Sequence, residues 1–391
     1  MKQHNFNLLL TVLFCLFIGG MFLGSLILPD RAFSQLENRN LEQAPKISLE
    51  AIDTGKFMED AEDYVNDQII GRDFWVALKA WSERLSGKQE NNGVYFAKEN
   101  TLISRVDTPS WEDTPAQGDT PAQQGLQTRV GYVNALVDNV DVPVYFGIIP
   151  SAAEIWSDRL PEGAPPADEK AIIDRLYSAA QTHTIDLYSA LAQHKDEDLY
   201  YRTDHHWTSL GAYYGYAGLA QALGYEPVNL DSYTETIRST EFYGTVFSSS
   251  GVRWVKPDTI STYVPDTGIT VTEHTYDNKG NPVEVPRSLY VESFLSVKDK
   301  YSMFLGGNQS LGVVTNTNNP DGPKLLIIRD SYADSLVPFL TAHYSEIHLI
   351  DPRYYHLSVK DYVAQNGIDQ ALVLYSVPNF VTDGNMFWIT R

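Results

Sequence analysis

Between Lys324 and Arg329 runs an unbroken apolar stretch, Leu325-Leu-Ile-Ile328, which limits the possible folds more than any other part of the chain. A strand with no polar face must be covered on both sides by other layers of structure. Further apolar runs at 142–149, 184–187, 347–350 and 371–375 alternate with helix-period segments near 126–137 and 168–181. That alternation predicts an α/β fold, a parallel sheet flanked by helices. Ligands and chemistry in such sheets gather at the carboxyl ends of the strands, where Asp330 and Ser331 follow the run. A serine on a turn between strand and helix exposes its hydroxyl and leaves its own amide free to face an oxyanion.

A serine nucleophile needs a base, and the base needs an orienting acid. Both are offered by Tyr201-Arg-Thr-Asp204-His205-His206-Trp207-Thr208, which leads into an apolar-periodic segment at 210–223. Thr208 reads as the N-cap of that helix, placing Asp204 and His206 on the loop before it. Taken alone, an Asp-x-His tripeptide reads equally as a His-rich helix start with a buried Trp. Together with Ser331 it reads as a triad: Ser331 as nucleophile, His206 as general base, Asp204 as orienting acid. His205 is the rival base; adjacent loop residues point apart, so only one imidazole is expected to face Ser331.

Asp204-His205-His206-Trp207 resembles the signature of the DHHW family, within the wider SGNH-hydrolase-like group, and is similar to the Asp-x-His-Trp motif of the alginate O-acetyltransferases. Ser34 with Glu37-Asn38-Arg39, Asp67-Gln68 with Arg72, and segments 301–308, 329–340 and 351–355 also look like family segments. Arg329 and Asp334 depart from the Lys and Asn favoured there, without touching the proposed triad. The resemblance implies a flavodoxin-like parallel sheet with the order of catalytic motifs circularly permuted, since Asp204 and His206 precede Ser331. It also implies acetyl transfer through Ser331 to a cell-surface or exported polysaccharide, with no cofactor and no metal. Because acetyl-CoA is absent outside the cell, a membrane-bound O-acyltransferase partner is expected to supply the acetyl donor.

Compartment is read from the N-terminus. Residues 6–28 carry no charge and are long enough to cross a bilayer as a helix. No Ala-x-Ala site follows, so an uncleaved signal anchor is expected, and Lys2 before the span favours residues 30–391 outside a bacterial cell membrane. The sole cysteine, Cys15, lies within the span, which excludes an internal disulfide, thiol catalysis and zinc–thiolate sites. With 50 acidic against 29 basic residues, the net charge of −21 argues against nucleic acid and anionic membrane surfaces as partners. To a lesser degree it argues against a polyanionic polysaccharide.

The expected organisation is an anchor at 1–28, a stalk and helical lead-in at 29–105, a Thr/Pro-rich loop at 106–125, and a catalytic domain at 126–391. Gly55 and Gly71 should divide the helical stretch 48–85 into two or three helices. The loop repeats Asp113-Thr-Pro-Ala-Gln117 as Asp119-Thr-Pro-Ala-Gln123 and is expected to be a mobile surface segment. A β-rich insertion is expected at about 228–322, with a hairpin turn at 277–281. Arg353 and Asn379 follow strands and are candidates for oxyanion or sugar contacts. Asn308, in Gly306-Gly307-Asn308, and Tyr332, beside Ser331, are further candidates, although Gly306-Gly307 reads more readily as a tight turn. Trp207 and the pair Tyr354-Tyr355 are candidate sugar platforms, and Asp330 and Asp334 are expected to be solvated or capping carboxylates. Rival readings are an acetylesterase with the same triad, a metal-dependent hydrolase using Asp204, His205 and His206, and a non-catalytic polysaccharide-binding or assembly protein.

Overall fold

The computed structural model describes residues 2–106, 121–276 and 280–391. The chain divides into two compact units, residues 1–92 with 247–254, and residues 93–246 with 255–391.

The first unit opens with helix α1 (Lys2–Ile27), whose segment Asn5–Ser25 is long and apolar enough to cross a membrane. Three helices follow, α2 (Leu49–Asp53), α3 (Lys56–Gln68) and α4 (Arg72–Leu85). The breaks fall at Gly55 and Gly71, both left-handed with φ of 76° and 68°, a conformation that disfavours side chains and stops a helix. The polar segment before them is tied down by ions. Arg39 donates to Glu37 and Asp67, and Arg72 pairs with Glu37, so segments about 30 residues apart in sequence converge on one network.

The second unit is built on an eight-stranded sheet. Its strands are β3 (Val144–Ile149), β4 (His183–Ile185), β7 (Ile269–Tyr276), β8 (Pro282–Arg287), β9 (Leu311–Asn316), β10 (Lys324–Arg329), β11 (Glu346–Ile350) and β12 (Gln370–Ser376). They lie in the order β8-β7-β9-β11-β10-β12-β3-β4. From β11 to β4 every neighbouring pair is parallel. β9, β7 and β8 then extend the sheet antiparallel beyond β11. Two shorter pairs stand apart, β1 (Val94–Ala97) with β2 (Thr101–Ser104) and β5 (Thr236–Phe242) with β6 (Asp258–Thr262). The β-rich stretch is therefore only partly an insertion, because three of its strands complete the main sheet. The repeated loop lies outside the described residues apart from 121–124, which begin helix α5, and so do residues 277–279 of the hairpin between β7 and β8.

Helices cover both faces. α5 (Pro121–Asn139), α6 (Glu169–Ala179), α9 (Val359–Asn366) and α10 (Val377–Thr382) pack with Leu326, Ile328, Val373 and Phe146. α7 (Ser209–Leu223) and α8 (Ala333–Leu340) pack on the other face against Leu325, Ile327, Leu372 and Leu374. The alternation of Leu325–Ile328 between these two cores is the two-sided burial that an all-apolar strand requires.

Candidate active site

Ser331 lies just beyond β10, between that strand and α8, and His206 lies on the loop before α7. Thr208 caps α7 by accepting from the Gly211 amide at 3.2 Å, which fixes where the loop ends and the helix begins. The two loops meet at hydrogen-bond distance. His206 Nε2 is 2.7 Å from Ser331 Oγ, and His206 Nδ1 is 2.6 Å from Asp204 Oδ1. Asp204 also accepts the amides of His206 at 3.0 Å and Thr245 at 2.7 Å, and the Thr245 hydroxyl at 2.9 Å. Burial alone would raise its carboxyl, but the imidazoles of His205 and His206 and these hydrogen bonds bring it well below the usual carboxylate range. Gly244 is required at this point, since a Cβ there would lie 2.3 Å from the Asp204 side chain.

His205 turns the other way. Its Nδ1 lies 2.6 Å from Thr245 Oγ1. That hydroxyl gives its one proton to Asp204, so His205 must donate from Nδ1, leaving Nε2 as the acceptor. Loss of solvent, then the neighbouring His206, push its pKa down to about 4. Asp204, His205 and His206 do bring one possible metal-ligand atom each within 4.8 Å of one another. The Asp204 oxygens and the His206 and His205 Nδ1 atoms of that group are already taken up in hydrogen bonds.

Two residues to which the sequence reading gave no role in the site position this constellation. Tyr301 stacks on the His206 ring at 3.7 Å and an interplanar angle of 7°, while its hydroxyl donates to the Ser331 carbonyl at 3.0 Å. Asp330 is the second. Its Oδ1 accepts the Tyr332 amide, and its Oδ2 accepts the amide and hydroxyl of Ser376 and the side-chain amide of Asn379. This carboxylate ties the turn after β10 to the end of β12. Of the expectation that Asp330 and Asp334 are solvated or capping carboxylates, the solvated alternative is corrected, since each is 1% exposed, while Asp330 does accept backbone amides. Asp334 faces the wholly buried Arg329 at 3.1 Å, and burial pushes its carboxyl up to about 7 even with that cation beside it. No local sequence signal distinguishes a clamp of this kind from a surface acid.

The remaining candidates are distributed unevenly. Trp207 is 0% exposed and donates from Nε1 to the Tyr332 carbonyl at 2.9 Å, so it is a core residue and not a sugar platform. Tyr332 is also buried; its amide is bound to Asp330 and its hydroxyl to the His205 carbonyl, which removes it as an oxyanion donor. The Ser331 amide meets no acceptor among the described residues. Asn308 is exposed and accepts from Arg329 Nη1 at 3.0 Å, after a turn in which Leu305, Gly306 and Gly307 all have positive φ. Arg353 and Asn379 share a 260 Å³ cleft with Asp330, but Arg353 is committed to Asp351 at 2.6 Å. Asn379 also lines a 350 Å³ cavity with Asp204, His205, Tyr332 and Ser151; Ser331 and His206 are not on its wall.

Residues 128–350, a range that includes the Asp204–Trp207 motif and Ser331, match the family described as DHHW protein, more than half of the chain. The chain belongs to the DHHW family. A crystal structure of a DHHW family protein from Eubacterium siraeum is 27% identical, with a TM-score of 0.59 over 77% of this chain and 95% of that one. PatB1 of Bacillus cereus, solved with a sulfonyl adduct, is 20% identical with a TM-score of 0.60, covering 76% and 98% of the two chains. A weaker likeness is the O-acetyltransferase domain of AlgJ from Pseudomonas putida, 14% identical with a TM-score of 0.44 over 74% and 93%. No curated protein matches the chain. The DHHW chain thus has the SGNH-hydrolase-like α/β fold, with its central sheet lengthened by antiparallel strands.

Proposed function

We propose that this DHHW protein is a membrane-anchored serine O-acetyltransferase that acts outside the cytoplasm on a cell-surface or exported polysaccharide. The observation that carries the reading is the hydrogen-bonded series from Ser331 Oγ through His206 to Asp204, at 2.7 and 2.6 Å. In the first half-reaction Ser331 Oγ attacks an acetyl ester and passes its proton to His206 Nε2, which returns it to the departing alcohol. In the second, a sugar hydroxyl attacks acetyl-Ser331, gives its proton to His206, and Ser331 leaves with that proton. Asp204 holds the imidazole with Nδ1–H toward itself and stabilises the imidazolium that forms within each half-reaction. The free amide of Ser331 is the first candidate donor to the oxyanion.

The membrane assignment is supported by the apolar helix at Asn5–Ser25 with Lys2 before it. A catalytic unit beyond that span would draw its acetyl groups from a membrane-bound O-acyltransferase partner. The test uses the full chain in detergent with p-nitrophenyl acetate, following acetate release and the intact mass of the protein. Wild type should release acetate and carry one acetyl group, and Ser331→Ala should lose both, with turnover down by roughly 10⁶-fold. Equal behaviour of the two proteins would sink the serine mechanism, and loss of activity to a chelator would favour the metal reading of Asp204, His205 and His206. An acetylesterase would use the same triad with water as acceptor. Comparing released acetate with acetylated oligosaccharide, both acceptors present, separates the two activities, which differ in how well water is kept from the acyl-enzyme.

A further inference from the structure

A second concavity, separate from the 350 Å³ cavity, lies along the antiparallel flank of the sheet. It is about 1260 Å³, larger than the roughly 300–1,000 Å³ of a small-molecule pocket. It exists because β9, β7 and β8 carry the sheet beyond the helices that cover its parallel half. His274 on β7 pairs with Glu284 on β8 and with Leu311 on β9, and Leu311 pairs with Ile350 on β11. Cross-strand partners point to the same face, so His274, Glu284 and Leu311 make a floor, walled by α9 and by the loop after β11.

Its lining has the mixed character that recognises sugars. Tyr276 and Tyr354 are 58% and 55% exposed, large aromatic faces with polar tips left open to solvent. Tyr355, adjacent in sequence, is instead buried against Tyr362, whose hydroxyl is held by His348 at 2.6 Å, which makes a rigid base for the exposed ring. The carboxylates of the groove are Glu284 on the floor and Asp361 on the wall, the imidazoles are His274 and His356, and no lysine or arginine is among the lining residues. Arg353, whose guanidinium lies 5.6 Å from the Tyr354 ring, is neutralised by Asp351.

The floor also leads toward the nucleophile. Ile350 pairs with Ile328 on β10, three residues before Ser331. Neighbouring strands are about 4.8 Å apart, so the far strand of the floor lies about 19 Å across the sheet from the strand that carries Ser331. A ligand long enough to occupy both is a chain and not a single ring.

We propose that this groove is a glycan-binding cleft that seats an uncharged or amino-sugar chain, and excludes a uronic-acid chain, on the flank of the sheet that carries Ser331. The inference rests on the reading of Ser331 as the centre that modifies a polysaccharide. Tyr276 and Tyr354 stack on sugar faces, while Glu284 and Asp361 accept from hydroxyl or amino groups. Those two carboxylates, with no lysine or arginine among the lining residues and only the His274 imidazole beside Glu284 at 3.7 Å, repel a chain of carboxylates.

The test measures binding of cellopentaose, a glucosamine pentamer and a galacturonate pentamer to the full chain in detergent by calorimetry. The proteins compared are wild type and Tyr276→Ala/Tyr354→Ala, whose substituted side chains are exposed and leave the fold intact. p-Nitrophenyl acetate turnover is followed in parallel. At least one of the first two pentamers should bind to wild type and the galacturonate should not. The double variant should bind about tenfold or more weakly, with turnover of the small ester unchanged. Equal or tighter binding of galacturonate, binding of no pentamer, or wild-type affinity in the double variant would overturn the cleft. Normal ester turnover alongside any of those results leaves the acetyltransferase reading standing. Pentamer binding without turnover would instead remove the catalytic reading and keep the cleft.

Discussion

Asp204 is the residue whose chemistry depends most on its surroundings. It spends Oδ1 on His206 and Oδ2 on Thr245, so an amide in its place would present an N–H where an acceptor is needed and select the wrong imidazole tautomer. Asp204→Asn should keep the fold by circular dichroism while ester turnover falls by roughly 10⁴-fold; a change of less than tenfold would mean that His206 is oriented by Tyr301 stacking alone. Glu169 gives a prediction of a different kind. It is fully buried and accepts the amide and hydroxyl of Ser151, each at 2.7 Å, and burial pushes its carboxyl up to about 7 from 4.5. Between those values the folded chain holds a proton that the unfolded chain releases. The stabilisation is therefore complete below about 4.5 and is lost as pH rises through about 7. Glu169→Gln copies the protonated form, so its stability should rise relative to wild type by up to about 3 kcal/mol from pH 4.5 to pH 8. Paired unfolding curves at several pH values check this, and a constant gap would show that Glu169 does not titrate there. That Asp204, the His205-His206 pair and Ser331 are candidates for acid, base and nucleophile was legible in the sequence, because such groups are rare in such surroundings. The roles of Asp330 and Tyr301 were not, since a carboxylate after a strand and a tyrosine before a Gly-Gly turn look like surface groups until their neighbours are known.

At the scale of elements, α7 shows how local preference yields to packing. Gly211 and Gly215 lie inside the helix that the periodicity at 210–223 predicts, which runs unbroken from Ser209 to Leu223, and alanine at either would favour the helix by about 1 kcal/mol. A Cβ at Gly215 would lie 2.7 Å from the Trp207 ring, and one at Gly211 would lie 2.2 Å from the Leu199 carbonyl oxygen. Overpacking a filled site costs about 1–3 kcal/mol, so Gly215→Ala should destabilise the protein in denaturant unfolding despite its better helix propensity. A stabilised variant would mean that Trp207 can move aside. The buried strands β10, β12 and β3 were readable because their central runs are apolar, and such runs have few other uses, and β11 because His348 is the one polar residue between Ile347 and Ile350. The pairing of β7, β8 and β9 was not readable, because an alternating strand at the edge of the main sheet and one in a separate small sheet carry the same pattern.

For the whole molecule, the proposed location rests on helix α1 and the proposed chemistry on the sheet. Asn5–Ser25 leaves most of its apolar side chains exposed, as a bilayer-spanning helix would. The full chain should remain in the membrane pellet after alkaline carbonate washing and move to the supernatant only with detergent; release by carbonate would argue against a span. The sequence by itself determined the apolar N-terminal span, the two-sided burial of the central strands and the chemical types at the triad, because these follow from local patterns of polarity and residue identity. Only the tertiary structure decided which imidazole faces Ser331, that Trp207 is core, and that Asp330 is a clamp. It also decided that the antiparallel strands leave an aromatic groove beside the parallel half. Each of these depends on contacts between segments tens to hundreds of residues apart, such as His206 with Ser331 across 125 positions. Geometry of that range is set by packing of the assembled layers and not by any stretch of chain read alone.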